Sequence, residues 1–518
     1  MAKGLAVGKA EGGRRKPKPQ VRAERGNGMS NLLTSLMTTA NTMKAFERSI
    51  AAVQNNVNNA STTGYAKQRQ LLDAQMFLPD QGFAGGVRAG AIVNYRDQLA
   101  EREVQAQQNR LGYYEQRARQ LKEIEGNFGL EASEGIQGAM NRLFSASASW
   151  SINVNNLGLR TDVMERARGV AEAFNDVSAR LTIRRSVLND QIDKATSEVN
   201  ALAERIRNLN SAIRSDNSPN NDAGVEAQLM GAIEELSDIV NFQALQERDG
   251  SFTILLGGQV PLVLGDKSFV LPEAQTGDPA RAKFIGGDGR DITSLLNGGR
   301  LGALLKVRND DLPEYIRRLD TLAKNFADGD TSVDPAATGD GANTILTRGY
   351  YYDYGTQPPT LKQGQPLFVF EAGLEGTAGG MKLNPNLTPE MLAPLRGDPP
   401  GVDPALTPVT ITSTNGVALD LTALGTARDP RNPNDLTFIE ELAQLVGKVG
   451  RDSADSAIVV DVQQQITVQA RLFRDELSKV NLDEEAAFLI GYQRSFEANA
   501  QLMRVISELT DVTLQMVR

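Results

Sequence analysis

Residues 481–518 read NLDEEAAFLI GYQRSFEANA QLMRVISELT DVTLQMVR, and the pattern predicts one unbroken helix. Asn481 can cap it, because its side-chain oxygen can accept an early backbone N–H, and Glu484 stands three residues on, as in a capping box. Asp483, Glu484 and Glu485 put negative charge in the first turn, where the helix dipole favours it. Only Gly491 interrupts the run, and at 1.5 Å per residue the helix is roughly 57 Å long. Leu489, Tyr492, Phe496, Met503 and Ile506 recur at a spacing of three and four. A second row, Leu502, Val505, Leu509, Val512 and Met516, runs beside the first. An apolar face this wide exceeds a single seam and requires a partner.

A second amphipathic helix starts from Met29, with Leu36, Ala40, Met43, Ile50, Val53 and Val57 on one face and Phe46 beside them. It dissolves into Asn55-Asn56-Val57-Asn58-Asn59-Ala60-Ser61-Thr62-Thr63-Gly64-Tyr65, where amide and hydroxyl side chains compete with the helical backbone. Gly64 can take a positive φ there. Following a long apolar helix, the cluster of Asn56, Gly64 and Tyr65 reads as a packed signature. The two ends mirror each other, and the simplest arrangement pairs them, each covering the other's stripe.

Between the ends, glycines and Pro79 punctuate residues 66–94 as a strand pair. Residues 97–126 and 160–214 are helical, the second carrying an apolar row from Val163 to Ile213, and read as long antiparallel rods with Trp150 anchoring their connection. Residues 219–433 hold 18 of the 21 prolines. Asp249-Gly250 marks a hairpin ahead of the alternating Phe252, Ile254 and Leu256, residues 300–326 return to helix, and Val409-Thr410-Ile411-Thr412 is the clearest later strand. Residues 436–478 are helical again, carrying Ile439, Leu442, Leu445, Val446, Ile458, Val462, Ile466, Leu472 and Leu477, and lead into the final helix. The fold class is therefore α+β, mainly α: paired terminal helices resembling a coiled coil, a long antiparallel helical bundle and an inserted β-rich outer domain. The expected divisions are 1–28, a basic extension or misassigned start; 29–75 with 479–518, a terminal assembly domain; 76–327 with 434–478, a long-helix domain with a β-hairpin; and 328–433, the outer domain.

Composition narrows the chemistry. The 518 residues include no cysteine and no histidine, which excludes disulfides, Cys/His zinc sites and histidine-based catalysis. A net charge of -9 opposes general nucleic-acid binding, although residues 1–28 carry eight Lys/Arg against Glu11 and Glu24. No apolar run has the ~20 residues of a membrane span, and the first 28 residues lack the apolar region of a signal peptide. Asp328-Gly329-Asp330-Thr331-Ser332-Val333-Asp334 resembles the start of a calcium loop. Val333 replaces the required glycine, however, and Gly339 stands where the final glutamate belongs. Gly286-Gly287-Asp288-Gly289 precedes no Lys-Ser/Thr helix and reads as a turn. No catalytic, cofactor or metal residues are expected; the candidate site is the packing surface of the two ends.

Those ends resemble a known family. Asn55 to Gln68 is similar to the Asn-rich, Thr-Gly-Tyr signature of flagellar rod, hook and junction proteins. Val480-Asn481-Leu482-Asp483-Glu484-Glu485-Ala486-Ala487, with Tyr492-Gln493 and Phe496-Glu497-Ala498, resembles the C-terminus of the flagellar hook-associated protein 1 (hook–filament junction) family. Glu234-Glu235-Leu236-Ser237, Leu256-Gly257-Gly258-Gln259 and Gly299-Arg300-Leu301-Gly302-Ala303-Leu304 resemble it too, so the likeness covers roughly 29–326 and 436–518. It implies an axial structural protein, not an enzyme, outside the cell on the bacterial flagellum and exported by the flagellar type III route without a cleaved signal. The implied partners are the hook protein, a second junction protein next to the filament, copies of itself in a ring, and an export chaperone on the C-terminal segment; nucleic acid and membrane are not among them. It further implies terminal helices that order on assembly. The alternatives are another axial protein (hook or distal rod) or a flagellum-borne adhesin or carbohydrate-active outer domain.

Overall fold

A computed structural model describes residues 24–62, 64–78, 83–128, 135–215, 223–278, 280–329, 341–371, 376–426 and 436–517. In chain order the elements are α1 (Glu24–Asn58), β1 (Gln68–Ala74), β2 (Phe77–Leu78), β3 (Phe83–Ala84), β4 (Val87–Asn94), α2 (Gln98–Glu125), α3 (Gly135–Ile152), α4 (Leu157–Ser215) and α5 (Ala223–Ile239). There follow β5 (Phe242–Gln246), β6 (Phe252–Leu256), β7 (Val260–Leu264), β8 (Lys267–Ser268), α6 (Gly299–Lys306) and α7 (Leu312–Asp328). The last third comprises α8 (Ala342–Thr347), β9 (Gly349–Asp353), β10 (Thr360–Gln363), β11 (Phe368–Phe370), α9 (Thr377–Gly380), β12 (Met381–Leu383), β13 (Leu395–Asp398), β14 (Thr410–Ser413), α10 (Gly416–Ala423), α11 (Phe438–Ser478) and α12 (Leu482–Val517). They form two compact units: Met1–Gln98 with Asp216–Gln228 and Phe473–Arg518, and Leu99–Ser215 with Leu229–Leu472.

The terminal unit is built on α1, which starts at Glu24, five residues before the Met29 pattern. Of the basic stretch 1–28, residues 1–23 lie outside the described residues, as does the calcium-like loop beyond Gly329. Gly64, at φ 77°, turns the chain from α1 into β1. β1 pairs antiparallel with β4, from Gln68↔Asn94 to Ala74↔Val87, with a register shift between Gln70 and Leu72. The hairpin lies on α1 because Gly86 allows it: a Cβ there would meet Thr42 Oγ1 at 2.8 Å. Val87 N–H donates to that same hydroxyl at 3.0 Å.

The second unit is a helical bundle with β additions. α2 runs antiparallel to α4, since Gln116 meets Gln191 and Gln120 meets Arg184. It is also antiparallel to α11, since Gln107 meets Gln463 and Arg117 meets Ser456. α4 has 59 residues and buries Val163, Val170, Phe174, Leu181, Leu188, Ile192, Val199, Ile206 and Ile213. Trp150 is fully buried and its Nε1–H donates to Val154 O at 3.2 Å, fixing the turn from α3 into α4. β5 to β8 form a four-stranded antiparallel meander, with Asp249 Oδ1 accepting from Ser251 N–H at 3.0 Å at its first turn. The later sheet has the order β10-β9-β13-β14, beside a β11–β12 hairpin. This β-rich segment shares its core with the helices: the Phe326 ring of α7 meets Phe144 (6.3 Å), Phe174 (6.4 Å), Phe368 (5.8 Å) and Phe438 (5.5 Å).

Two stretches show what the local sequence pattern does not reveal. Ala223–Ile239, read only as the start of a proline-rich region, is a helix. On α11, Leu442, Leu445 and Val449 are buried, but Ile458 (63 %), Val462 (54 %) and Leu472 (65 %) are exposed. The polar face turns inward there instead. Gln463 Nε2 donates to Gln107 Oε1 at 2.7 Å, Thr467 Oγ1 reaches Gln107 O at 3.3 Å, and Arg471 bonds Glu234 at 2.9 Å. Hydrogen bonds to α2 and α5 outweigh the apolar stripe in setting that rotation.

Candidate assembly site at the paired termini

The seam between α1 and α12 runs antiparallel, since Asn56 meets Glu485 while Phe46 meets Tyr492 (ring centroids 6.2 Å apart). On α1 the buried positions are Thr39, Thr42, Ala45, Ser49, Ala52, Val53 and Asn56, mostly small or polar. Leu36, Met43 and Ile50 flank that line half-buried, and Val57 faces outward at 42 % exposure. Small residues on one helix permit close approach, and large ones on the other fill the space. On α12, Leu489, Tyr492, Phe496 and Met503 are half-buried and Ile506 is buried.

A polar knot closes one end of this seam. Asn56 is fully buried with all its valences used. Its Nδ2 donates to Gln68 O (2.8 Å) and Glu485 Oε2 (3.0 Å), while its Oδ1 accepts from Gln68 N–H (2.9 Å) and the Tyr65 hydroxyl (3.0 Å). One amide thereby joins α1, β1, the Gly64 turn and α12. Arg96 holds the same turn, donating to Gly64 O at 2.7 Å and pairing with Glu226 of α5 at 3.1 Å. Tyr65, Ala227 and Val480 form a small apolar cluster beneath. Lys67 N–H donates to Ser478 O at 2.8 Å, tying β1 to the end of α11.

Asn481 caps α12, its Oδ1 accepting from Asp483 N–H at 3.0 Å and Glu484 N–H at 3.4 Å. The reciprocal half of a capping box is not formed, because Glu484 faces Lys67 (3.9 Å) and Arg69 (3.8 Å). Arg69 also lies 3.8 Å above the Phe488 ring, and Phe488 stacks on Tyr492 at 6.1 Å, so the cation continues an aromatic ladder along α12. Among the described residues no group of three or more His, Cys, Asp or Glu side chains could hold a metal ion, and no helix is long and apolar enough to cross a membrane.

Burial, with Glu485 and Glu226 nearby, pushes the Tyr65 hydroxyl up to about 12. A folded-state value above the unfolded one stabilises below the unfolded value, and that stability is lost as pH rises from about 10 to about 12. The terminal unit should therefore lose on the order of 1–2 kcal/mol over that range. Tyr65→Phe should flatten this alkaline limb in denaturation followed through α12; an unchanged limb would contradict the assignment.

Residues 121–332 match the family described as "Flagellar hook-associated protein FlgK helical domain", and residues 473–516 the one described as "Flagellar basal body rod FlgEFG protein C-terminal". Flagellar hook-associated protein 1 of Bacillus subtilis is 23% identical over 93% of this chain and 98% of its own length. The protein of that name from Salmonella typhimurium is 23% identical over 94% of this chain and 100% of its own. The chain is thus similar to flagellar hook-associated protein 1 over nearly its whole length. Its fold is shared with the flagellar hook junction protein FlgK of Burkholderia pseudomallei, at a TM-score of 0.56 and 16% identity over 72% of this chain and 99% of that one.

Among the described residues the second row of α12 has no intramolecular cover. Leu502 (49 %), Val505 (52 %), Leu509 (51 %), Val512 (46 %) and Met516 (78 %) are all exposed. The structure thus joins Asn56 and Tyr65 in the knot beside the Gly64 turn, sets Asn481 and Glu484 at the start of α12, places the first row in the seam and leaves the second row outside. Sequence reasoning missed Glu485, Phe488, Arg69, Arg96 and Glu226. Glu485 reads as first-turn charge and as part of the C-terminal motif, with no sign of its buried partner, and nothing local to Arg96 points to Glu226, 130 residues away.

Proposed function

We propose that this flagellar structural protein joins hook to filament by assembling through its terminal helices into a ring of copies of itself. The observation that carries the reading is the exposed apolar row from Leu502 to Met516 on a helix whose other face is already occupied by α1. An isolated patch of that kind favours association with an equivalent surface on a neighbour. The exposed Met76, Phe77 and Leu78 at the tip of the β1–β4 hairpin, and Ile458, Val462 and Leu472 on α11, offer further contacts of the same kind.

In this reading the ring meets the hook protein on one side and a second junction protein on the filament side. The chain travels through the flagellar export route without a cleaved signal and acts outside the cell. A chaperone holds the greasy α12 beforehand. The seam contains mostly small side chains and half-covered large ones, so it is thin, and neighbours complete its burial on assembly. The proposed divisions remain 29–75 with 479–518 for assembly, 76–327 with 434–478 for the long helices, and 328–433 for the outer segment. Immunogold labelling of intact flagella tests the position. A single band between hook and filament is expected; label along the whole hook or at the rod would favour another axial role and overturn this one.

A further inference from the structure

The second unit contains a cleft that the assembly role does not use. It has a volume of about 590 Å³ and lies where the start of α4 meets the end of β9 and the segment before β13. That size falls within the ordinary range for small-molecule sites. Its lip carries two unusual side chains. Tyr354 is 77 % exposed and Tyr352 43 % exposed, their ring centroids 6.4 Å apart and their planes inclined at 49°. Their neighbours Tyr350 and Tyr351 on β9 are buried, whereas Tyr352 on the same strand and Tyr354 just past its end stay outside.

The wall of the cleft is polar. Arg160 donates from Nε to Val154 O (2.8 Å) and from Nη1 to Pro389 O (3.3 Å) and Glu390 O (3.1 Å). Three carbonyls hold the guanidinium in place, and its Nη2 makes no hydrogen bond among the described residues. Asp353 is paired with Lys362 at 2.7 Å and stays ionised, mainly because of that hydrogen bond. Glu390 is held below the usual carboxylate range by its own backbone N–H, by the Thr388 hydroxyl and by Arg160. Asn155 adds an exposed amide.

Lys362 and Arg160 balance the two carboxylates, so the wall offers no net positive charge to favour phosphates or acidic ligands. A polyhydroxyl ligand fits instead. Each hydroxyl both donates and accepts, matching acceptor-only carboxylates and donor-only guanidinium, while aromatic faces pack against C–H-rich surfaces. We propose that this cleft binds a neutral saccharide, with a pyranose face laid on Tyr354 and Tyr352 and hydroxyls bonded to Asp353, Glu390, Asn155 and Arg160. The site contains residues from both α4 and the outer segment, so it exists only in the intact chain.

Saturation-transfer NMR on the full-length protein tests this with maltose, lactose, cellobiose, N,N′-diacetylchitobiose and, as an acidic control, 3′-sialyllactose. At least one neutral disaccharide should show transfer to its ring C–H protons, and lactose should bind more tightly than its sialylated form. Tyr354→Ala should weaken binding about tenfold, the size expected for loss of one aromatic contact. Its melting temperature should not change, because the ring packs against little. Absence of transfer from all four neutral sugars, equal binding by Tyr354→Ala, or preference for 3′-sialyllactose would each overturn the proposal.

Discussion

Asn56→Ala should leave the unit built on residues 99–215 and 229–472 folded while the terminal unit loses its order. The amide makes four hydrogen bonds within 3.0 Å, and an alanine makes none of them. Gln68 would lose partners for both its N–H and its C=O, the Tyr65 hydroxyl would lose its acceptor, and the Glu485 carboxylate would lose its donor. Glu485 is fully buried and its other oxygen already lacks a partner among the described residues, so no local rearrangement can absorb the loss. Orphaning a buried neutral group costs about 1–3 kcal/mol and breaking a buried charged contact about 3–5 kcal/mol. Against a typical domain stability of about 5–15 kcal/mol, this is enough to open a thin seam. Hydrogen exchange should show loss of protection in α1 and α12 with α4 unaffected, and cells carrying the variant should fail to retain filaments. Asn56→Asp should do no better, because it sets a second carboxylate against Glu485. Full protection of α12 in Asn56→Ala would mean that the knot is dispensable.

The same residues show what the sequence could reveal. The Asn481 cap, the Asp249-Gly250 turn and the buried row of α4 are local signals, each set within a few residues, and each is found in the structure. The rotation of α11 was not legible, because it depends on Gln107 and Glu234, far away in the chain. A hydrophobic stripe says that a face wants cover, without saying whether its own chain supplies it. The face of α1 failed differently. Reading Leu36, Met43, Ile50 and Val57 as the seam follows hydrophobicity, whereas the buried line of Thr42, Ala45, Ser49, Ala52 and Asn56 follows size. Close packing of two helices selects small side chains on one of them, and a search for large apolar residues passes over these. The Asn-rich stretch was legible as packed. Which asparagine is central was not, since that depends on Glu485 arriving from the other end of the chain.

Val505 and Ile506 are adjacent in sequence and should respond to the same substitution in opposite ways. Ile506 is 8 % exposed in the seam, and Val505 is 52 % exposed on the outer row. Ile506→Asp buries a charge without a partner, at a cost of several kcal/mol, and should release α12 from α1 in the single chain. Hydrogen exchange would register this as lost protection in both terminal helices, while the unit of residues 99–215 and 229–472 keeps its own. Val505→Asp places its charge in water, so the stability of the single chain should change by no more than about 0.5 kcal/mol. Incorporation at the hook–filament boundary should nevertheless be abolished, because in the proposed ring a neighbour covers that position and would strand the carboxylate there. The pair of variants separates two ways of failing, since one breaks the fold that presents the surface and the other breaks only the surface. Normal incorporation of Val505→Asp would remove the outer row from the subunit contacts, and with it the reason for α12 to carry an apolar face wider than α1 can cover.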